Sequence, residues 1–216
     1  MPGIVVFLGP SLPRDRALEI LEADYRPPAK RGDIFQAAKE GAEVICLIDG
    51  VFFQDCSVAH KEVLYALESG AKVLGASSMG ALRASELDVY GMEGVGEIYQ
   101  AYKRGHLVSD DEVALIFDPI TWEPRSEPLV NIRFNLDAAC QQGKIGTSAR
   151  NTLLRCAQSI YFPERTYESM MKAAQSRVSA EELQRFREFM NNCRRDYKME
   201  DALKALQRAK EIANEG

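Results

Sequence analysis

The chain has 216 residues, 46% of them hydrophobic and 27% charged, with a formal net charge of -5. That composition supports one good core, or a core with a smaller helical appendage, and it argues against bulk attraction to nucleic acid or an anionic membrane. Five widely spaced cysteines without a CxxC pair, beside two histidines, argue against a structural zinc site or a disulfide framework and suit reduced thiols in a cytosolic protein.

Met1-Pro2-Gly3 enters a short apolar run without the basic flank of a secretory leader. No stretch approaches the ~20 apolar residues of a membrane-spanning helix. Ile4 to Leu8 reads as a buried strand closed by Gly9-Pro10, and Arg14 to Ala23 as a helix. The paired prolines make Tyr25 to Asp33 a rigid loop. Ile34 to Glu40 is a short helix ended by Gly41. Val44 to Ile48 is a second buried strand, ending at the turn signal Asp49-Gly50. Ser57 is placed to cap a helix from Val58 to Glu68, stopped by Gly70. Lys72 to Ala76 is a third strand and Met79 to Leu87 the next helix. This alternation predicts an α/β fold with a mostly parallel sheet layered with helices.

Gly91, Gly94 and Gly96 predict a flexible turn before a helix from Ile98 to Arg104. Val113 to Phe117 and Leu129 to Phe134 read as edge strands interrupted by prolines. Beyond Leu136 the pattern is helical, with a capping box at Ser179-Ala180-Glu181-Glu182 and a last helix carrying Ala202, Leu203, Leu206 and Ala209. The expected organisation is an α/β core over residues 1–136 and an all-helical C-terminal region over 137–216.

Chemistry concentrates in Gly75-Ala76-Ser77-Ser78-Met79-Gly80-Ala81-Leu82-Arg83-Ala84, between a strand and a helix. Ala76-x-Ser78-x-Gly80 is similar to the strand-turn-helix elbow of serine hydrolases. Small residues there leave space for an exposed hydroxyl, and the amides of Met79 and Gly80 would face an oxyanion at a helix N-terminus. The same serine also suits a plain helix cap. A serine nucleophile needs a base. His60 and Lys61 lie at the start of the preceding helix, where the positive end of the dipole lowers a lysine's pKa. Lys61 is the candidate base; a solvated surface lysine and a core histidine are the plain alternatives. Asp49 sits at a strand end, the edge where parallel α/β proteins build sites. Asp110-Asp111-Glu112 would bind a cation, orient a lysine or face water. Arg31 and Arg83 are candidates to hold a carboxylate or an acidic partner, or form ordinary surface ion pairs. No dinucleotide fingerprint, phosphate loop or HExxH occurs, so no metal and no cofactor are expected.

Several segments together resemble the TfuA-like proteins: Pro27-Pro28-Ala29-Lys30-Arg31-Gly32-Asp33, Ile48-Asp49-Gly50-Val51-Phe52, Val58-Ala59-His60-Lys61-Glu62-Val63-Leu64 and the elbow segment from Gly75 to Ala84. Gly91-Met92-Glu93-Gly94-Val95-Gly96 and Asp110-Asp111-Glu112-Val113-Ala114 extend the match. The resemblance implies a partner of a YcaO enzyme in peptide backbone thioamidation. It implies hydrolysis of a thiocarboxylated, ubiquitin-like sulfur carrier such as ThiS, releasing sulfide near the YcaO site and its peptide or protein substrate. It further implies a serine-lysine pair, carried here onto Ser78 and Lys61, with Ser77 as the fallback nucleophile. The alternative is a non-catalytic adaptor that docks YcaO to its substrate and carrier.

Overall fold

A computed structural model describes residues 3–52 and 57–215. In chain order its elements are β1 (Ile4–Phe7), α1 (Arg14–Leu18), β2 (Asp24–Arg26), α2 (Asp33–Lys39), β3 (Val44–Leu47), α3 (His60–Glu68), β4 (Lys72–Ala76), α4 (Met79–Leu87), β5 (Glu93–Val95) and α5 (Glu97–Lys103). There follow α6 (Leu129–Gln141), α7 (Thr147–Ser159), α8 (Tyr167–Ala174), α9 (Ala180–Cys193) and α10 (Tyr197–Glu215). The chain divides into two compact units: Met1–Asp110 joined by Lys198–Gly216, and Asp111–Tyr197. The division therefore does not fall at 136/137. Most of the last helix belongs with the α/β unit, not with the helical one.

In the first unit the strands are all parallel, in the order β2-β1-β3-β4-β5. β1 and β3 are buried along their whole length, as central strands covered on both faces are. Ile4, Val6, Leu8, Val44, Cys46, Ile48, Leu74 and Ala76 share one face with Ala17 of α1 and with Ala202, Ala205, Leu206 and Ala209 of α10. Alternate residues point to the opposite face. There α4 comes close: a side chain at Gly75 would meet the Gly80 carbonyl, Ala84 and Met92. The chain leaves β1 toward one side of the sheet and β3 toward the other. The topological switch point of the sheet therefore falls between these two neighbouring strands, at their carboxyl ends.

Several expectations are corrected. Leu129 to Phe134 opens α6 and is not a strand, because Leu129, Ile132, Leu136 and Ala139 are buried together at helical spacing. Val113 to Phe117 forms no strand; Phe117 makes only an isolated bridge to Pro124. Asp24–Arg26 pairs with β1 just before the two prolines, within the expected loop. Glu93–Val95 pairs with β4 where a flexible glycine turn was expected. α1 ends at Leu18, short of Ala23. Ser57 does not cap α3; the cap is Ala59, whose N–H donates to Glu62 Oε1 at 3.0 Å.

The second unit packs α6 to α9 around Leu136, Leu153, Met170, Leu183, Phe186 and Phe189. Arg165, 1% exposed, donates to the Asp111 carboxylate at 2.7 Å and to the carbonyls of Ala157 and Ile160, both at 3.1 Å. Glu112 pairs with Arg133. Two acids of the Asp110-Asp111-Glu112 run thus neutralise arginines of the helical unit.

Candidate active site

β4 ends at Ala76, and α4 begins at Met79. The two residues between them make the turn. Ser77 has a positive φ of 64°, rare for a residue with a side chain. Across it, Ser78 N–H donates to the Ala76 carbonyl at 2.7 Å, an i→i+2 bond of the strained γ kind. Ser78 then serves as the N-cap residue of α4 without a side-chain cap bond. Its hydroxyl is free of that duty and is used elsewhere.

The residue it meets is Lys198, on the first turn of α10. Lys198 Nζ donates to Ser78 Oγ at 3.1 Å, and both side chains are buried, each residue 2% exposed. Lys61 is on the first turn of α3 but is exposed, and the amine within hydrogen-bond distance of Ser78 belongs to Lys198 instead. Lys198 falls four, seven and eleven residues before Ala202, Ala205 and Ala209, on the apolar stripe of α10. An amine on an apolar stripe was the signal available in the sequence. The sequence reading rests the last helix on Ala202, Leu203, Leu206 and Ala209 and assigns Lys198 no role.

Of the two amides expected to face an oxyanion, Gly80 N–H is committed to the Ile48 carbonyl at 3.3 Å. The contact is so close that a side chain at Gly80 would run into the Leu47 carbonyl. Met79 N–H, the first of α4, has no acceptor among the described residues. It is the donor still open to a ligand.

Asp49, 2% exposed, lies two residues beyond β3, at the switch point. Its Oδ2 accepts from the amides of Gly9 at 2.9 Å and Ser11 at 3.0 Å, and its Oδ1 from Ser11 Oγ at 2.7 Å. Ser77 Oγ in turn donates to Ser11 Oγ at 2.9 Å. Ser11 was not singled out from the sequence. The Gly9-Pro10 turn before it was visible, but the 66-residue separation from Ser77 was not bridged.

The remaining candidates sit apart from this pair. His60 Nε2 is 2.8 Å from Glu86 Oε2, at the surface. Arg83 donates from Nε to the Val58 carbonyl at 2.8 Å and from Nη1 to the same Glu86 at 2.7 Å. Arg83 and exposed Asp110 border a cavity of about 380 Å³ that Phe52, Met79 and Leu82 also line. Arg31 is exposed, and Asp111 is the partner of Arg165 in the second unit. Complete burial pushes the Cys46 thiol up to about 12, so it is a core group without thiolate chemistry at neutral pH. Cys56 lies outside the described residues. Among the described residues no group of three or more His, Cys, Asp or Glu is placed to hold a metal ion. Nor is any helix there long and apolar enough to cross a membrane.

Parallel strands wound to both sides of a switch point, with a buried serine-lysine contact where one strand turns into a helix, define a doubly wound α/β protein. The family profile described as TfuA-like protein matches residues 49–166, more than half of the chain, and the chain belongs to that family. Asp49, Ser77 and Ser78 fall inside the matched stretch; Ser11 and Lys198 fall outside it. No match is found among curated proteins.

Proposed function

We propose that this protein hydrolyses the C-terminal thiocarboxylate of a ThiS-like sulfur carrier and so supplies sulfide to a YcaO partner that thioamidates a peptide backbone. Ser78 is the nucleophile in this reading, and Lys198, not Lys61, is its base. The observation that carries it is the 3.1 Å contact between two buried side chains at the carboxyl edge of the sheet.

In the reaction the Lys198 amine, when neutral, accepts the Ser78 proton. Ser78 Oγ attacks the thiocarboxylate carbon. The substrate is anionic, so attack needs compensating charge. The lysine that has just taken the proton becomes an ammonium beside the developing oxyanion, and Met79 N–H at the positive end of α4 adds a fixed donor. As the carbon-sulfur bond breaks, the Lys198 ammonium passes its proton to the sulfur, so that hydrosulfide leaves and the amine is neutral again. Water, deprotonated by the same amine, then cleaves the acyl-serine to a carboxylate and regenerates Ser78. Arg83 has no part in these steps, since Glu86 already neutralises it.

The test is sulfide release from thiocarboxylated carrier. Ser78→Ala and Lys198→Met are each expected to slow it by roughly 100-fold or more. Lys61→Ala is expected to leave it unchanged. Wild-type rates in both Ser78→Ala and Lys198→Met would rule out hydrolysis at this site and leave the chain as an adaptor between YcaO, carrier and substrate.

A further inference from the structure

The pair described above explains one of two adjacent hydroxyls. The other, on Ser77, is more deeply buried, with no exposure, and it points to a different partner. Its backbone is the strained one. At a positive φ of 64° a turn ordinarily takes glycine, or asparagine. A serine kept there signals that its hydroxyl is used.

We infer that Asp49 and Ser11 are positioning residues for the proposed hydrolysis: acting through Ser77, they hold the positive-φ turn on which Ser78 is presented to Lys198. The inference rests on the reading of Ser78 as nucleophile and extends it to three buried groups beside the switch point. The chain of donors has a fixed sense. A carboxylate only accepts, so the Ser11 proton goes to Asp49 Oδ1 and the Ser77 proton goes to Ser11 Oγ. The Gly9 and Ser11 amides, both donating to Asp49 Oδ2, lock the carboxylate from the other side. Every member is at most 4% exposed, so water does not compete for these bonds. The chain thus ties the loop after β1 and the end of β3 to the turn after β4. Release of Ser77 would let its φ relax toward ordinary values and swing the next residue, Ser78, away from the amine.

The sense of the chain gives a selective variant. In Asp49→Asn the side-chain oxygen still accepts both amides, but its nitrogen now donates to Ser11 Oγ. Ser11 must then donate to Ser77, and the order of protons runs backward while the shape is kept. The reaction probe is labelling of Ser78 by a fluorophosphonate, read by mass spectrometry, with thermal unfolding as control. Ser11→Ala, which releases Ser77, is expected to label about tenfold slower or more, whereas Asp49→Asn, which keeps the tie with its protons reversed, should stay near the wild-type rate, and Ser11→Thr, which keeps a hydroxyl, should regain most of it. Wild-type labelling in a folded Ser11→Ala variant would overturn the positioning role.

A second measurement needs no reaction. Ser77→Gly removes the hydroxyl and relieves the positive φ. In the wild-type background it also breaks the bond to Ser11; in a Ser11→Ala background that bond is already gone. The melting temperature should therefore rise more, or fall less, on Ser77→Gly when Ser11→Ala is present. Additive shifts would overturn the chain as a constraint on the turn. An unlabelled wild-type Ser78 with non-additive shifts would instead sink the nucleophile assignment and leave the constraint standing, so the two failures are distinct.

Discussion

Asp201 shows how one side chain fixes the helix that carries Lys198. It is completely buried one turn beyond the lysine, and its Oδ2 accepts from Ile98 N–H at 2.8 Å, in the first turn of α5. Gly96, with φ +98°, precedes that helix, and any side chain there would collide with the Asp201 carboxylate. Burial raises the Asp201 pKa; the amides of Ile98 and Glu97 and the Lys204 ammonium pull it back without cancelling the rise. The sign follows. A carboxyl held above its unfolded value of 3.8 stabilises the fold most when protonated, below that value. The contribution is lost as pH rises from there through the raised folded value. Asp201→Asn keeps an oxygen for Ile98 and removes the titration. The difference in melting temperature between wild type and Asp201→Asn should therefore shift in favour of the variant as pH rises through this window, then level off. A constant difference from pH 3 to pH 7 would contradict the assignment. At this scale the sequence was legible wherever chemistry was local. Small residues around Ser78 and a carboxylate at a strand end can be read from neighbours. The contact of Lys198 with Ser78 cannot, because the two are 120 residues apart; only the place of an amine on the apolar stripe of α10 hinted at it.

Elements meet most closely where α4 crosses the end of the sheet. Gly75 in β4 and Gly80 in α4 are both occluded, the first by the Gly80 carbonyl and Ala84, the second by the Leu47 carbonyl. The Gly80 Cα thus sits against backbone, which cannot rotate out of the way as a side chain can. Gly80→Ala should cost about 3 kcal/mol, at the upper end of overpacking penalties. The gain in helix propensity, about 1 kcal/mol, does not offset it. A denaturant midpoint as high as that of wild type would show that α4 can move off β3 at little cost. The same closeness explains what the sequence pattern revealed about elements. β1, β3 and β4 are apolar runs covered on both faces, and such runs declare themselves. β2 and β5 are three-residue edges made of Asp-Tyr-Arg and Glu-Gly-Val, whose pairing depends on the neighbour strand and not on their own composition. α6 opens on Leu129, Val130 and Ile132, a β-prone run whose helical spacing becomes evident only when Leu136 and Ala139 are counted with it.

At the scale of the whole molecule, the chain leaves the α/β unit at Asp110, builds the helical unit, and returns at Lys198. A change of composition near residue 136 suggested a simple two-part order, because sequence patterns record which elements a stretch forms and not which core they join. The returning helix supplies both Lys198 and part of the core. Ala202, Ala205, Leu206 and Ala209 cover Ile4, Val6, Cys46, Ile48 and Leu74 on one face of the sheet. Burying Leu206 alone contributes about 2 kcal/mol, against a typical domain stability of about 5–15 kcal/mol. A chain ending at Tyr197 would expose that face. It should therefore lose the cooperative unfolding of the α/β unit and bind a hydrophobic dye, whereas Lys198→Met should keep the native transition and lose only turnover. The segment Asp111–Tyr197 has its own apolar cluster and its own buried arginine pairs. Expressed alone, it should be helical and melt cooperatively. Cooperative melting of both units in the chain ending at Tyr197 would mean that α10 serves the site without holding the sheet. Its small-residue face would then have to be explained by something other than packing on β1, β3 and β4.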